Sequence, residues 1–159
     1  MRLYLVQHGD AVAKDVDPDR PLSEKGRADV ERIAAFLSRA GVIVSELQHS
    51  GKTRAQQTAE LLASAIGTGA SCRSIAGIAP LDPVADFARI ARDLASDTMV
   101  VGHLPFMGKL VSCLVLDDES TPCVAFQPGT VVCLERADGG DWSVAWMIRP
   151  ELLGGLGGY

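Results

Sequence analysis

Apolar residues along this chain fall into two kinds of pattern. Short unbroken runs read as strands buried on both faces: Leu3-Tyr4-Leu5-Val6, Val42-Ile43-Val44 continuing to Leu47, and Thr98-Met99-Val100-Val101. Between them, apolar residues recur at helical spacing. Val30, Ile33, Ala34 and Leu37 predict a helix that starts after Ser23, a residue suited to the N-cap, and stops at Gly41. Ala55, Thr58, Ala59, Leu62 and Ala65 predict a second from Thr53 to Ile66, closed by Gly67 and Gly69. Val84, Phe87, Ile90, Ala91 and Leu94 form the stripe of a third, with Asp82 as its expected cap. A fourth follows Gly102-His103-Leu104-Pro105 and runs to Leu116, and Cys72 to Ile75 reads as a further strand. Residues 7–21 have no period and read as a loop.

The last third changes character. Val124–Phe126, Val131–Arg136 and Trp142–Ile148 predict strands, joined by turns at Gln127-Pro128-Gly129 and Asp138-Gly139-Gly140-Asp141. Trp142 and Trp146, four apart in one strand, are expected to pack on one face. Residues 154–159, rich in glycine, read as a loose tail on a single domain spanning 1–159. Strand and helix alternate over most of the length. The expected class is α/β: a three-layer sandwich with a mostly parallel central sheet and helices on both faces.

Composition narrows the picture. A chain of 159 residues, 47% hydrophobic and 22% charged, is long enough to bury a sizeable core. No apolar run approaches the ~20 residues a membrane-spanning helix needs, and the first residues are not patterned as a signal peptide, so neither membrane nor export is expected. The expected location is the cytoplasm. The formal charge of −5 disfavours a nucleic-acid binder, which would carry a basic face. Cys72, Cys113, Cys123 and Cys133 form no C-x-x-C pair and sit mostly among apolar residues. They read as reduced core thiols, and no metal or cofactor is expected.

In a doubly covered parallel sheet, ligands bind beyond the carboxyl ends of the strands. Three polar clusters fall there: Gln7-His8-Gly9, Ser50 to Arg54, and Gly102-His103. Gly9 lets the backbone turn closely after the first strand. A neutral imidazole is a competent nucleophile toward phosphorus. Arginine and a helix N-terminus supply the donors that the oxygens of a transferring phosphoryl group require. His8, Arg54 and His103 are therefore the candidate chemistry, on condition that they converge.

These residues also carry a resemblance. Val6-Gln7-His8-Gly9-Asp10-Ala11 matches R-H-G-[ED]-A. Arg20-Pro21-Leu22-Ser23-Glu24-Lys25-Gly26 matches R-P-L-[ST]-x-x-G. Ser50 to Ala59 matches S-P-x-x-R-A-x-Q-T, and Val101-Gly102-His103 matches the second-histidine segment. In order, spacing and length the chain resembles the histidine phosphatase superfamily, in the branch of the SixA phosphohistidine phosphatases, with a phosphoglycerate mutase-like fold. The resemblance implies a covalent phosphohistidine on His8, with Arg54 and His103 on the phosphoryl oxygens. Gln7, Gly9, Arg20 and Ser50 are expected to complete the phosphate site. It implies a phosphorylated protein as partner, such as a phosphotransfer domain or phosphocarrier. The general acid that larger members use on alcohol leaving groups has no clear counterpart; Asp82 and Asp86 lie between the second and third clusters, and nothing in their context marks them.

Gln7 is the chief departure, standing where the motif has Arg. Losing the charge from one donor weakens phosphoryl binding by about 1.5–3 kcal/mol, one to two decades. Arg20 or Lys52 is expected to compensate. The alternatives to a phosphohistidine phosphatase are a general small-molecule phosphomonoesterase and a phospho-binding module without turnover. Asp10 reads as a loop hydrogen-bonding residue, His49 as a solvated loop residue, and Gly51, in place of the motif's Pro, as a looser turn.

Overall fold

A computed structural model describes residues 1–67, 69 and 71–154. The outer part of the expected tail, residues 155–159, lies outside the described residues. Six strands form one sheet: β1 (Arg2–Gln7), β2 (Glu46–His49), β3 (Ser71–Ser74), β4 (Thr98–Gly102), β5 (Val131–Arg136) and β6 (Trp142–Ile148). Their order is β3-β2-β4-β1-β5-β6. The first four are mutually parallel, and β5 and β6 extend the sheet antiparallel.

The helices are α1 (Glu24–Arg39), α2 (Thr53–Ile66), α3 (Val84–Arg92), α4 (Phe106–Leu116) and a short α5 (Glu151–Gly154). Alternation along the strands decides which helix each face meets. Tyr4 and Val6 point into a core with Val30, Ile33 and Leu37 of α1 and Ala55, Ala59 and Leu62 of α2. Leu3 and Leu5 point the other way, against Phe87 and Ala91 of α3 and Phe106, Leu110 and Val111 of α4. This is the expected three-layer α/β sandwich. Ser23 caps α1 as expected, its hydroxyl accepting the Gly26 N–H at 3.0 Å. Gly41, at φ 77°, takes the left-handed turn that ends the helix.

Several local expectations are corrected. The second strand begins at Glu46; Val42 and Val44 are buried in the core outside any strand. Val124–Phe126 forms no strand and packs irregularly, Val124 and Phe126 lying against the second core. Asp82 does not cap α3; its carboxylate accepts the Ala79 N–H at 2.9 Å, and Pro83 holds the cap position. Ile90 faces solvent and Ala88 takes the inner place. A register shift between Cys133 and Leu134 breaks the period of β6. Trp142 therefore joins the second core, while Trp146 packs on the first, 6.0 Å from the Tyr4 ring. Of the cysteines only Cys133 is buried; Cys72 and Cys123 are exposed.

Candidate active site

β1, β2 and β4 are adjacent parallel strands, so their carboxyl ends come together at one edge of the sheet. His8 leaves β1 there. Its backbone is tied down on both sides: the His8 N–H donates to the Gly102 carbonyl at 3.0 Å, and the Gly129 N–H donates to the His8 carbonyl at 3.1 Å. His103 follows β4 and Ser50 follows β2. The two imidazole rings lie 5.0 Å apart, centre to centre.

The tautomer of His8 follows from its partners. Nδ1 lies 2.7 Å from the Gly9 carbonyl, which can only accept, so Nδ1 carries the proton. Nε2 then presents its lone pair, and the Nε–H of Arg54 donates to it at 3.3 Å. Burial and the charges of Arg54 and Arg20 push the His8 pKa down to about 4. Burial, with His8 and Arg54 nearby, pushes that of His103 to about 3. Both rings are neutral at pH 7, as a nitrogen nucleophile requires. Arg54 and Arg20 have no carboxylate salt-bridge partner among the described residues. The charges of both guanidiniums thus act on the His8 ring, and that of Arg54 touches it. That arrangement is suited to an anion whose central atom His8 can attack.

The family model "Histidine phosphatase superfamily (branch 1)" matches residues 3–76, which contain His8, Arg20, Ser50 and Arg54. A protein of Picosynechococcus, itself uncharacterised, is 34% identical over 116 residues, covering 69% of this chain and 70% of its own. The chain belongs to the histidine phosphatase superfamily. The same fold recurs in solved phosphatases. The protein histidine phosphatase SixA complexed with tungstate superposes with a TM-score of 0.85 at 23% identity, covering 96% of this chain and 99% of that one. A mutant phosphoserine phosphatase from Entamoeba histolytica in complex with phosphoserine gives 0.73 at 14% identity, covering 96% and 98%. The alpha-ribazole phosphatase from Shigella flexneri gives 0.75 at 15%, covering 94% and 97%.

Around His8, the expected residues separate by what they touch. His8, Arg54, His103 and Ser50 form one connected group, but Ser50 Oγ lies 2.6 Å from His103 Nε2 and so bonds the second histidine in the resting site. The Gly9 N–H donates to Thr58 Oγ1 at 3.0 Å and is not free to face a phosphoryl oxygen. Gly9 acts instead by close packing, since an added Cβ would stand 2.8 Å from Val30. Arg20 sits in the left-handed region at φ 48°, its Nε–H donating to the Val12 carbonyl. Such strain is characteristic of functional positions. Gln7 is buried, and its Oε1 has no partner. Asp10 accepts the Ser23 hydroxyl at 2.6 Å, the loop role expected of it.

Sequence reading missed two residues. Thr58 bridges the His8–Gly9 loop and α2; its signal is a lone hydroxyl in an otherwise apolar helical stripe. His49, expected in solvent, is a buried residue ending β2. Among the described residues no cluster of His, Cys, Asp or Glu is placed to hold a metal ion, and no helix is long and apolar enough to cross a membrane.

Proposed function

We propose that this protein is a phosphohistidine phosphatase that removes the phosphoryl group from a histidine on a protein partner. The observation carrying the reading is the Arg54–His8 contact: a neutral Nε2 lone pair held beside an arginine with no carboxylate partner. The incoming phosphoryl group draws the Arg54 N–H onto its oxygens and frees the lone pair. His8 Nε2 then forms a bond to phosphorus as the substrate's P–N bond breaks. The departing imidazole takes its proton from water, and water hydrolyses the phosphohistidine on His8 to return the enzyme and release phosphate. Arg54 and Arg20 balance the charge of the equatorial oxygens, with Gln7 as a neutral donor beside them.

The choice of a P–N bond rests on the acidic residues. Asp10 is engaged by Ser23, Asp82 by the Ala79 amide, and Asp86 pairs with Arg89 on an exposed face. An alkoxide leaving group needs a positioned acid, whereas an imidazole leaves with little help. The reading includes a cytoplasmic location, which cell fractionation checks. The functional test is phosphate release from a phosphohistidine-bearing protein by wild type and His8→Ala. Release that vanishes in the variant supports the reading. Far better turnover of small phosphate esters would replace it with the phosphomonoesterase, and binding without release would replace it with the phospho-binding module.

A further inference from the structure

The mechanism above makes no use of His49. It is the last residue of β2, and only 6% of its surface is exposed. Its Nδ1 lies 3.1 Å from the Gly51 N–H, and an N–H can only donate. Nδ1 must therefore carry a lone pair, which fixes His49 as a neutral ring protonated on Nε2. Burial lowers the pKa of His49 and keeps it in that form.

The next residue repeats the pattern. The Ser50 hydroxyl accepts the Lys52 N–H at 3.3 Å while it contacts His103 Nε2 at 2.6 Å. Two successive amides, of Gly51 and Lys52, are thus each held by the side chain two positions earlier, and α2 with Arg54 begins directly afterwards. Such side chain to backbone bonds fix a turn that the backbone would otherwise leave free. The turn has particular need of fixing. Gly51 sits at φ 89°, a conformation proline cannot adopt and glycine holds weakly, having many others to choose from.

We propose that His49 is a positioning residue: its Nδ1 bond to the Gly51 amide holds the turn that places Ser50 on His103 and Arg54 on His8. The imidazole does through a hydrogen bond what a ring in the backbone would do through covalent restraint. His49 touches neither substrate nor reacting atoms; it acts through Ser50 and Arg54.

The inference rests on the superfamily site and is tested apart from any substrate. Imidazole nitrogen chemical shifts of His103, read by NMR in the free protein, report the Ser50 contact. Three variants are compared with wild type: Ser50→Ala, His49→Leu, which fills space without an acceptor, and His49→Asn, whose amide oxygen can stand where Nδ1 does. The expected result is that His49→Leu moves the His103 signals toward those of Ser50→Ala, while His49→Asn leaves them near wild type. Where phosphate release is measurable, kcat falls roughly tenfold in His49→Leu, the loss of one positioning bond, and recovers in His49→Asn. Wild-type His103 shifts in His49→Leu, or an equal disturbance in both His49 variants, overturns the assignment. A wild type that releases no phosphate but shows the expected shifts defeats the proposed function and leaves this inference standing.

Discussion

Thr58 offers a test of how the two halves of the site are held together. It is fully buried, and its hydroxyl accepts the Gly9 N–H at 3.0 Å and donates to the Arg54 carbonyl at 2.8 Å. Thr58→Val keeps the shape and removes both bonds. The Arg54 carbonyl loses little, because as a helical carbonyl it also accepts the amide of residue 58. The Gly9 N–H is left buried without a partner, at about 1–3 kcal/mol. A methyl in place of the hydroxyl returns less than about 1 kcal/mol of apolar burial. The expected net loss is about 1–2 kcal/mol, read as a lower urea midpoint at unchanged slope. Gly9 also accepts the Nδ1 proton of His8, so a shifted Gly9 peptide turns the ring proposed as nucleophile. Phosphate release should fall by about tenfold or more. Thr58→Ser keeps the hydroxyl and should keep most of the rate. A valine variant as stable and as active as wild type would refute the coupling of loop to helix through this hydroxyl.

Gln7→Arg should tighten binding of inorganic phosphate by about one to two decades, since it adds a charged donor. Calorimetric titration gives the affinity, and an unchanged constant would mean that residue 7 does not face the anion. Stability should fall as pH drops. His8 and His103 have folded pKa values of about 4 and about 3, below the ordinary 6.5, so between those limits the unfolded chain binds protons that the folded one does not. The urea midpoint should therefore decline steadily from pH 6.5 toward pH 4, and a flat or rising midpoint would show that the rings are not buried neutral. Gly26→Ala places a Cβ 1.9 Å from the Asp10 carbonyl oxygen, a backbone atom that cannot yield. It should cost more than about 3 kcal/mol, measured by thermal unfolding.

The layered fold was legible because burial on both faces writes itself as unbroken apolar runs, and burial on one face as a helical stripe. Leu3 to Val6 and the stripe of α1 are read without error for that reason. The failures have physical causes. The period of two that would put Trp142 and Trp146 together was broken by a bulge, which a sequence does not mark. Val124 and Phe126 bury their side chains without pairing their backbone, so apolar content alone misled. That His8, Arg54 and His103 come together follows from motif spacing, because each sits at a strand end or a helix start. The bond from Ser50 to His103 joins residues 53 apart in the chain and has no local trace. His49 reads as solvated because the apolar run that marks β2 ends at Leu47, and a polar residue beyond such a run carries no sign of burial.

The Arg54–His8 contact has a consequence for selectivity. With its lone pair engaged by a guanidinium N–H, the His8 nitrogen proposed to attack phosphorus is masked at rest. A neutral electrophile offers Arg54 nothing better than His8 and leaves the mask in place. An oxyanion outbids the imidazole for the guanidinium and uncovers the nitrogen it is about to meet. On the proposed mechanism the substrate's own charge is the key to this chemical latch, and His8 should react more slowly than a bare imidazole with uncharged acylating and alkylating agents.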